Sequence, residues 1–238
     1  MANFPFQRLQ ADLAKLIAKT PDGQRLISEP ELAKQLGVSR ATLREARRTF
    51  ETQGVIRRRQ GSGTYVVGIV PVIDAGLERL ESIETLAKRM NLEITVSDLN
   101  IEQVDADADS AKGLSVAEGT RLTRIRRVIR ADRRPAAYLV DTLPESILKP
   151  SDLPADFHGS VLDFLLARGD KLGISRAVVS ATNAHTDIAK PLEIQRDDVL
   201  LKFESQLFDL KNNVVDYSVS YFIPGYFHFH VNRRVGST

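Results

Sequence analysis

The sequence of 238 residues contains no cysteine, which excludes disulfides, thiolate metal ligands and a cysteine nucleophile. Histidine is also scarce, with four residues in the chain. Three of them, His185, His228 and His230, lie near the C-terminal end, and no spacing matches HxxxH or a similar metal-binding pattern. We therefore predict that these histidines are structural or surface residues, and that the protein binds no metal and no cofactor.

Long apolar runs are missing as well. No stretch of about 18 apolar residues is present, and the N-terminal MANFPFQRLQ lacks the charged-then-apolar order of a secretory signal. We expect a soluble, cytoplasmic protein with no membrane partner. An apolar fraction of 42% is sufficient for ordinary cores, and the chain length suits two domains.

Net charge is small overall but unevenly distributed. Residues 1–67 contain 12 Lys and Arg against 6 Asp and Glu, whereas the remaining residues contain 21 against 25. The first part is therefore basic and the second mildly acidic. A basic small domain joined to a larger acidic one favours nucleic-acid binding at the N-terminal end alone.

The segment from Glu31 to Val67 has the pattern of a winged helix-turn-helix. It predicts a short helix over Glu31–Leu36, a turn at Gly37 and a second helix that Ser39 caps at its N-terminus. The second helix has apolar residues on one face and arginines on the opposite face. The apolar positions are Leu43, Ala46 and Phe50, and the arginines are Arg40, Arg44 and Arg48.

Two β-like runs after this helix predict a hairpin, the wing. They are Val55–Arg58 and Thr64–Val67, and they surround the turn Gln60-Gly61-Ser62-Gly63. The arginines of Arg57–Arg59 would track the phosphate backbone, while small residues at the tip allow a close approach to a groove. Arginines on the second helix can reach guanine edges and phosphates. A merely solvated basic helix is the alternative, and the hairpin makes DNA binding the better interpretation.

The rest of the chain predicts a second domain of mixed structure. Gly68–Gly76, with Pro71 inside it, is expected to be a linker. An amphipathic helix over Leu77–Met90 is followed by several mainly antiparallel strands with a few helices, an α+β arrangement. The predicted organisation is a DNA-binding domain over 1–67, a linker over 68–76 and a second domain over 77–238.

The N-terminal domain resembles that of the GntR family of bacterial transcription regulators. The matching elements are Glu31-Leu32-Ala33, Gly37-Val38-Ser39-Arg40, Thr42-Leu43-Arg44 and Gln60-Gly61-Ser62-Gly63-Thr64-Tyr65-Val66. The resemblance implies DNA contacts from Ser39, Arg40, Thr42, Arg44, Gln60 and Gly61, to which the basic patterns add Arg48 and Arg58. Pro30 stands where the family usually has a DNA-contacting arginine, so one expected contact is removed.

The C-terminal part resembles the UTRA domain of the HutC-type subfamily. The resemblance rests on Glu118-Gly119, Asp132 with Pro135, Leu143-Pro144 and Tyr217-Ser218. It implies a chorismate-lyase-like fold, a mainly antiparallel sheet with helices, and a pocket for a small-molecule effector. At the family's phosphate-sugar site Arg127 keeps one ligand-binding arginine, whereas Ile129 and Leu139 replace polar groups.

These replacements predict an effector other than a phosphosugar, such as a smaller or more apolar carboxylate. Arg127 is the first candidate for an effector contact, and a solvent-facing charge is its alternative. Tyr138, Ser180, Asp216 and Tyr217 are further candidates, each with a structural polar role as its alternative.

Together these features predict a sequence-specific transcription regulator, a repressor whose affinity for operator DNA responds to a small molecule. A palindromic operator requires a homodimer, because one helix-turn-helix reads one half-site. Operator binding would place this cytoplasmic protein on the nucleoid. One alternative is a C-terminal domain that dimerises without a ligand. The other is a lyase-like enzyme, but no nucleophile–base pair or phosphate loop supports it, so no catalytic residue is predicted.

Overall fold

The computed structural model describes residues 4–52, 55–59, 62–67 and 72–233. Three helices come first: α1 (Phe4–Lys19), α2 (Glu29–Gln35) and α3 (Arg40–Thr52). Ser39 caps α3 as predicted, because its hydroxyl accepts a hydrogen bond from the Thr42 N–H at 3.1 Å. At the start of α2, the Ser28 N–H and hydroxyl both donate to the Glu31 carboxylate, at 3.2 and 2.6 Å.

An apolar core lies between these helices and the wing. Its largest fully buried side chains are Leu13, Leu32, Leu43 and Ile56. The wing consists of β1 (Ile56–Arg59) and β2 (Gly63–Val66), which pair antiparallel. Helix, turn, helix and hairpin follow each other in the predicted order, so the winged helix-turn-helix is confirmed.

A six-stranded antiparallel sheet dominates the C-terminal part, with the spatial order β4-β5-β6-β9-β8-β7. Its strands are β4 (Ile94–Asp105), β5 (Arg121–Ala131), β6 (Arg134–Pro144), β7 (Leu172–Asn183), β8 (Val199–Asp209) and β9 (Val214–Phe222). Asp132 and Arg133, with φ of 49° and 60°, form the tight turn between β5 and β6. The predicted α+β class is confirmed.

Short helices accompany this sheet. They are α4 (Ile83–Arg89), α5 (Ala108–Leu114), α6 (Val161–Arg168) and α7 (Thr186–Ala189), with a 3-10 turn at Pro150–Asp152. The predicted helix over 77–90 begins only at Ile83, because the Ser82 hydroxyl accepts the Thr85 N–H at 2.9 Å and caps it there. No helix within the described ranges is both long and apolar enough to cross a membrane.

The residue range predicted for the linker, 68–76, needs a correction. Ile73–Gly76 form a strand, β3, which pairs in parallel with β10 (Phe227–His230) near the C-terminal end. Ile73 and Ala75 are 1% and 3% exposed, so their alternation marks a half-buried strand. The run was too short to outweigh the nearby Gly and Pro signals, and its partner lies about 150 residues away, beyond the reach of local pattern.

Direct hydrogen bonds connect the wing to the C-terminal part. The Arg57 guanidinium donates to the Leu192 carbonyl at 2.6 Å, and the Gln195 amide donates to the Arg58 carbonyl at 3.3 Å. Both partners belong to the segment between α7 and β8. Movement of that segment relative to the sheet would therefore change the hydrogen bonds that hold the wing.

Candidate DNA-binding surface and effector pocket

Glu29 at the start of α2 holds two exposed arginines of α3. Its carboxylate pairs with Arg40 Nε at 3.0 Å and with Arg44 Nη2 at 2.8 Å. The hydrogen bond from Arg44, opposed by desolvation and supported by Arg40, lowers the pKa of Glu29 to about 2. The arginine side chains remain 59% and 55% exposed. Both guanidinium groups are thus oriented and still accessible to a polyanion.

Three other residues predicted to contact DNA are exposed around α3. The Ser39 and Thr42 hydroxyls lie 2.8 Å apart at the N-terminus of the helix. N–H groups and hydroxyls at a helix N-terminus are suited to phosphate oxygens. Arg48 is 79% exposed, and its distance of 3.9 Å from Glu45 makes a weak ion pair in water. Its guanidinium is therefore accessible to a phosphate.

The wing presents Arg58 to solvent and directs Arg57 toward the C-terminal part. Arg58 is exposed, as a DNA contact requires. The expectation that Arg57 tracks phosphates is not met in this arrangement, because successive strand residues point to opposite sides and its guanidinium reaches Leu192. Gln60 and Gly61 lie outside the described residues, and their DNA contacts stay predictions.

Arg47, which was not among the predicted site residues, ties α3 to the wing. It is only 5% exposed, and its guanidinium donates to the Thr64 hydroxyl of β2 and to Glu51 at 3.3 Å. Its position four residues after Leu43 and three before Phe50 places it on the apolar face of α3. That spacing could have indicated that Arg47 is buried. The other arginines of α3 made it look like one more exposed basic residue.

A cavity of about 660 Å³ lies on one face of the six-stranded sheet. Its walls come from the sheet, α6, the β3–β10 pair and the segment leading into α4. The apolar lining includes Leu139, Phe203, Phe222 and Phe229, and the serines include Ser205, Ser218 and Ser220. A cavity of this size and mixed character suits a small metabolite.

Four ionisable side chains meet on the wall of this cavity: Arg127, Asp141, Asp216 and Glu84. Arg127 is 4% exposed; its Nη1 donates to the Asp141 carboxylate in a short ion pair, and its Nε lies 3.7 Å from Glu84 Oε1. Asp216 accepts the Thr142 N–H at 3.2 Å. Three atoms have no hydrogen-bond partner among the described residues: both carboxylate oxygens of Glu84, and Arg127 Nε. Buried groups left in this state are available to a ligand.

Burial and like charge favour the protonated form of two of these carboxyl groups. Desolvation raises the pKa of Glu84, even against the attraction of Arg127. Desolvation and then the charge of Asp141 raise the pKa of Asp216 well above its usual value. Burial opposes the charge on Arg127, yet Asp141 and Glu84 raise its pKa. Because Asp141 already matches Arg127, the cluster offers little unpaired positive charge.

The five predicted effector residues do not share one site. Arg127 and Asp216 line the cavity. Tyr138 and Tyr217 line a separate groove on the opposite face of the sheet, since they neighbour Leu139 and Asp216 on strands whose side chains alternate. Ser180 is exposed on the edge strand β7 and lines neither space. The placement of these three residues in one pocket with Arg127 is therefore corrected.

Glu84 and Asp141 are the pocket residues that sequence analysis missed. Asp141 follows Leu139 by two positions on β6, so strand alternation could have identified it as a partner of Arg127. Glu84 belongs to α4 and reaches the sheet across the cavity. Nothing in its local sequence distinguishes it from a solvent-facing acid in a helical first turn.

The histidines have different environments. His185 is exposed immediately before α7, in agreement with a surface role. His228 and His230 are on β10, where both imidazoles approach the carboxylate of Asp74 on β3. These three residues could hold a cation, a possibility that the spacing of the histidines alone did not reveal.

The fold and these two sites define a DNA-binding protein with a separate domain for a small molecule. Residues 6–66 match the model of the bacterial regulatory proteins of the gntR family, and residues 89–228 match the UTRA domain. The UTRA match spans more than half of the chain, and the chain belongs to the GntR family of regulators with a C-terminal UTRA domain.

Several curated relatives are repressors. The histidine utilization repressor of Klebsiella aerogenes is 30% identical over 179 residues, which cover 74% of this chain and 72% of the relative. The transcriptional repressor NagR of Bacillus subtilis is 27% identical, with 72% and 70% covered. The family and these relatives are transcription regulators and not enzymes, so the lyase alternative is set aside and the chain is a DNA-binding regulator.

Solved structures share the whole architecture. PhnF from Mycobacterium smegmatis has a TM-score of 0.64 at 20% identity, with 96% of this chain and 100% of that chain covered. YydK from Bacillus subtilis has a TM-score of 0.59 at 18% identity, with 97% and 99% covered. At these identities the likeness establishes the fold alone.

Proposed function

We propose that the chain is a homodimeric repressor that binds a palindromic operator and is released or retained by a small molecule bound beside Arg127. The observation that supports the proposal is that one chain contains two separate sites, one suited to DNA and one suited to a small molecule. One is an exposed arginine surface on α3, and the other is a buried, charged cavity with unsatisfied polar atoms.

In the proposed DNA complex, Arg40 and Arg44 exchange Glu29 for guanine edges or phosphates. Both arginines are more than half exposed, so phosphates and base edges can compete with Glu29 for them without any opening of the fold. Bidentate contacts from arginine to guanine discriminate between bases by about 1–3 kcal/mol each. Ser39 and Thr42 would position the helix on phosphates, with Arg48, Arg58, Gln60 and Gly61 adding contacts from the helix and wing.

The proposed effector brings hydrogen-bond donors and an apolar body. Glu84 has two oxygens without partners, and aromatic and aliphatic side chains form the opposite wall. An ammonium group or several hydroxyls would satisfy these oxygens. A carboxylate, the class expected from the sequence, would need Arg127 to give up Asp141 inside a buried site. Breaking such a pair is costly, so we favour a cationic or hydroxylated ligand.

The proposed route between the sites uses elements that belong to both. The segment from β3 to α4 forms a cavity wall and follows the residues that join the two parts. The segment between α7 and β8 holds the wing through Leu192 and Gln195. A ligand that prefers one arrangement of these segments would shift the spacing of the two DNA-binding domains in a dimer.

The domain boundaries are part of the proposal. We propose a DNA-binding domain over residues 1–67, a joint that ends before Ile73, and an effector and dimerisation domain that includes β3. Action on a bacterial operator further implies a cytoplasmic protein that associates with the nucleoid when bound.

Operator binding is tested by fluorescence anisotropy with labelled DNA from upstream of the protein's own gene. We expect a palindromic segment to bind at least about 10³-fold tighter than shuffled DNA of the same composition. Equal affinity for both would overturn the repressor proposal. Mass measurement of the bound complex should give two chains per operator, and one chain per operator would overturn the dimer.

Effector binding is tested by thermal-shift screening of the whole chain against amines, polyols and carboxylates. A ligand that binds only the folded state raises the melting temperature. We expect the shift from an amine or polyol, lost in Glu84→Gln or Asp216→Asn. Shifts from carboxylates alone would contradict the donor-bearing class, and no shift in any class would favour a ligand-free dimerisation domain.

A further inference from the structure

The parallel pairing of β3 with β10 places three potential metal ligands side by side. In the register of this pair, His228 is opposite Asp74 and His230 is opposite Gly76. His228 and His230 are two residues apart on one strand, so their side chains leave the same face. Asp74, on the neighbouring strand, presents its carboxylate to both rings.

The separations of the ligand atoms are close to those around a single ion. Asp74 Oδ1 lies 2.9 Å from His228 Nδ1 and 3.2 Å from His230 Nδ1. All three potential ligand atoms lie within 4.8 Å of one another. Metal–ligand distances near 2.0–2.1 Å at tetrahedral angles give ligand–ligand separations of about 3.3 Å. An ion therefore needs only small side-chain adjustments to enter.

Neighbouring residues make room for this cluster and keep it accessible. A Cβ at position 76 would lie 2.7 Å from Glu78 Oε2 and 3.5 Å from His230 Nε2, so Gly76 lets both side chains lie against the strand. The side chains of Asp74, His228 and His230 are 53%, 71% and 37% exposed. An ion can thus reach the site from solvent without any opening of the fold.

We propose that Asp74, His228 and His230 bind one divalent transition-metal ion, with zinc as the reference metal and water in the remaining position. Two imidazoles and one carboxylate suit zinc, nickel, cobalt and copper, whereas magnesium and calcium prefer all-oxygen sites. This site is separate from the effector cavity and goes beyond the proposed function. Among the residues described by the structure, no other trio of such ligands lies this close together.

Such an ion would join the first and last strands of the C-terminal part. β3 is the first described element after the wing, and β10 is the last described element of the chain. Ala75 and Gly76 of β3, together with Phe229 of β10, also line the effector cavity. Metal binding would therefore hold the cavity wall and the start of the C-terminal part together.

The alternative is a hydrogen-bonded His–Asp cluster that only supports strand pairing. Both roles use the same contacts, and they differ in what conservative variants do. His230→Gln and Asp74→Asn retain hydrogen-bonding groups but remove a strong metal ligand. Under the alternative, no variant of this cluster affects metal binding.

The test uses the untagged full chain and titrates Zn²⁺ by calorimetry, with Co²⁺ absorption spectra as a second readout of tetrahedral coordination. The wild type should bind one ion per chain. His228→Gln, His230→Gln and Asp74→Asn should each weaken binding at least about tenfold. The matched controls His158→Gln and His185→Gln, the two other histidines of the chain, should bind like the wild type.

Melting temperatures without metal separate loss of the site from loss of the fold. Saturating Zn²⁺ should raise the melting temperature of the wild type and both controls by about 5 °C. The three cluster variants should show no such rise while melting close to the wild type in chelator. Absence of stoichiometric Zn²⁺ binding by the wild type would overturn the proposal. So would equal loss of binding in the cluster variants and the controls.

Discussion

The two arginine clusters of this protein have the same chemistry in opposite surroundings. On α3, Arg40 and Arg44 share the Glu29 carboxylate and are more than half exposed. On β5, Arg127 shares Asp141 and Glu84 and is 4% exposed. Exposed pairs exchange partners at little cost, whereas separation of a buried pair leaves an uncompensated charge.

This difference explains why the two clusters suit different ligands. A DNA backbone can displace Glu29 because both guanidinium groups are already accessible from solvent and the phosphates replace its charge. A ligand in the cavity gains more by donating hydrogen bonds to the Glu84 oxygens, which accept none from the described residues, than by breaking the pair between Arg127 and Asp141.

Arg127→Ala should destabilise the fold strongly, because Asp141 and Glu84 would remain buried without a cation. We expect a loss of about 3 kcal/mol in the free energy of unfolding, measured by urea denaturation. Arg121→Ala is the control, since Arg121 pairs with Asp105 at 3.1 Å with both side chains more than 60% exposed. It should cost less than about 1 kcal/mol. Equal losses would remove the distinction between buried and exposed clusters.

Arg44→Ala should weaken operator binding by roughly 10- to 100-fold. Its effect on unfolding should stay within about 1 kcal/mol, because Arg44 is more than half exposed and Arg40 still pairs with Glu29. Anisotropy with the operator and urea denaturation measure the two effects. The matched control is Arg89→Ala: Arg89 is 56% exposed and pairs with Glu81 at 2.9 Å, much as Arg44 pairs with Glu29. Comparable loss of operator binding in Arg89→Ala would show that general charge, and not the α3 surface, determines affinity.

Acid and base should affect the two clusters in opposite directions. The folded-state pKa of Glu29 is about 2 against a usual 4.5, so its stabilisation is present above pH 4.5 and is lost as pH falls toward 2. The pKa of Asp216 is raised, so its neutral form favours folding at low pH, and that contribution is lost as pH rises from the usual value of 3.8 through the raised value.

Unfolding measured from pH 2 to pH 8 should therefore separate Glu29→Gln from Asp216→Asn. The first variant should flatten the stability profile only below pH 4.5. The second should flatten it only above about pH 4. If both variants changed the same pH range, the contrast between the clusters would be wrong.

Arg48→Ala should have the smallest effect. Its exposed side chain is expected to meet a phosphate, so affinity should fall less than tenfold for all sequences alike. The slope of log K against log salt should decrease by about 1, which anisotropy at several salt concentrations measures. An unchanged slope would show that Arg48 does not contact the backbone.

Local patterns were sufficient to predict the N-terminal domain. The Ser39 cap and the turn at Gly37 depend on residues within a few positions of one another. The burial of Arg47 could not be predicted from local pattern, because it depends on a contact with Thr64 of the wing. The general order of strands in the C-terminal part was also predictable, since alternation is a local property.

The cavity could be predicted only in part, because its lining residues are far apart in sequence, as Glu84 and Asp216 are. Arg127 and Asp216 were found from family resemblance, whereas the faces of Tyr138 and Tyr217 required the register of each strand. Local pattern does not distinguish β3 from a linker, because its partner strand lies at the other end of the chain. The Asp74–His228–His230 cluster depends on that same pairing.

We propose that the cavity beside Arg127 controls the arginine surface on α3. This proposal is tested by operator affinity with and without a saturating ligand from the thermal-shift screen, in Ala177→Trp and Val178→Trp. Ala177 is exposed on β7 and lines the cavity, while Val178 lines the groove on the opposite face. We predict that the ligand changes operator affinity at least tenfold in the wild type and Val178→Trp and has no effect in Ala177→Trp. An equal ligand response in all three proteins, each binding the operator normally without ligand, would show that the cavity does not control operator binding.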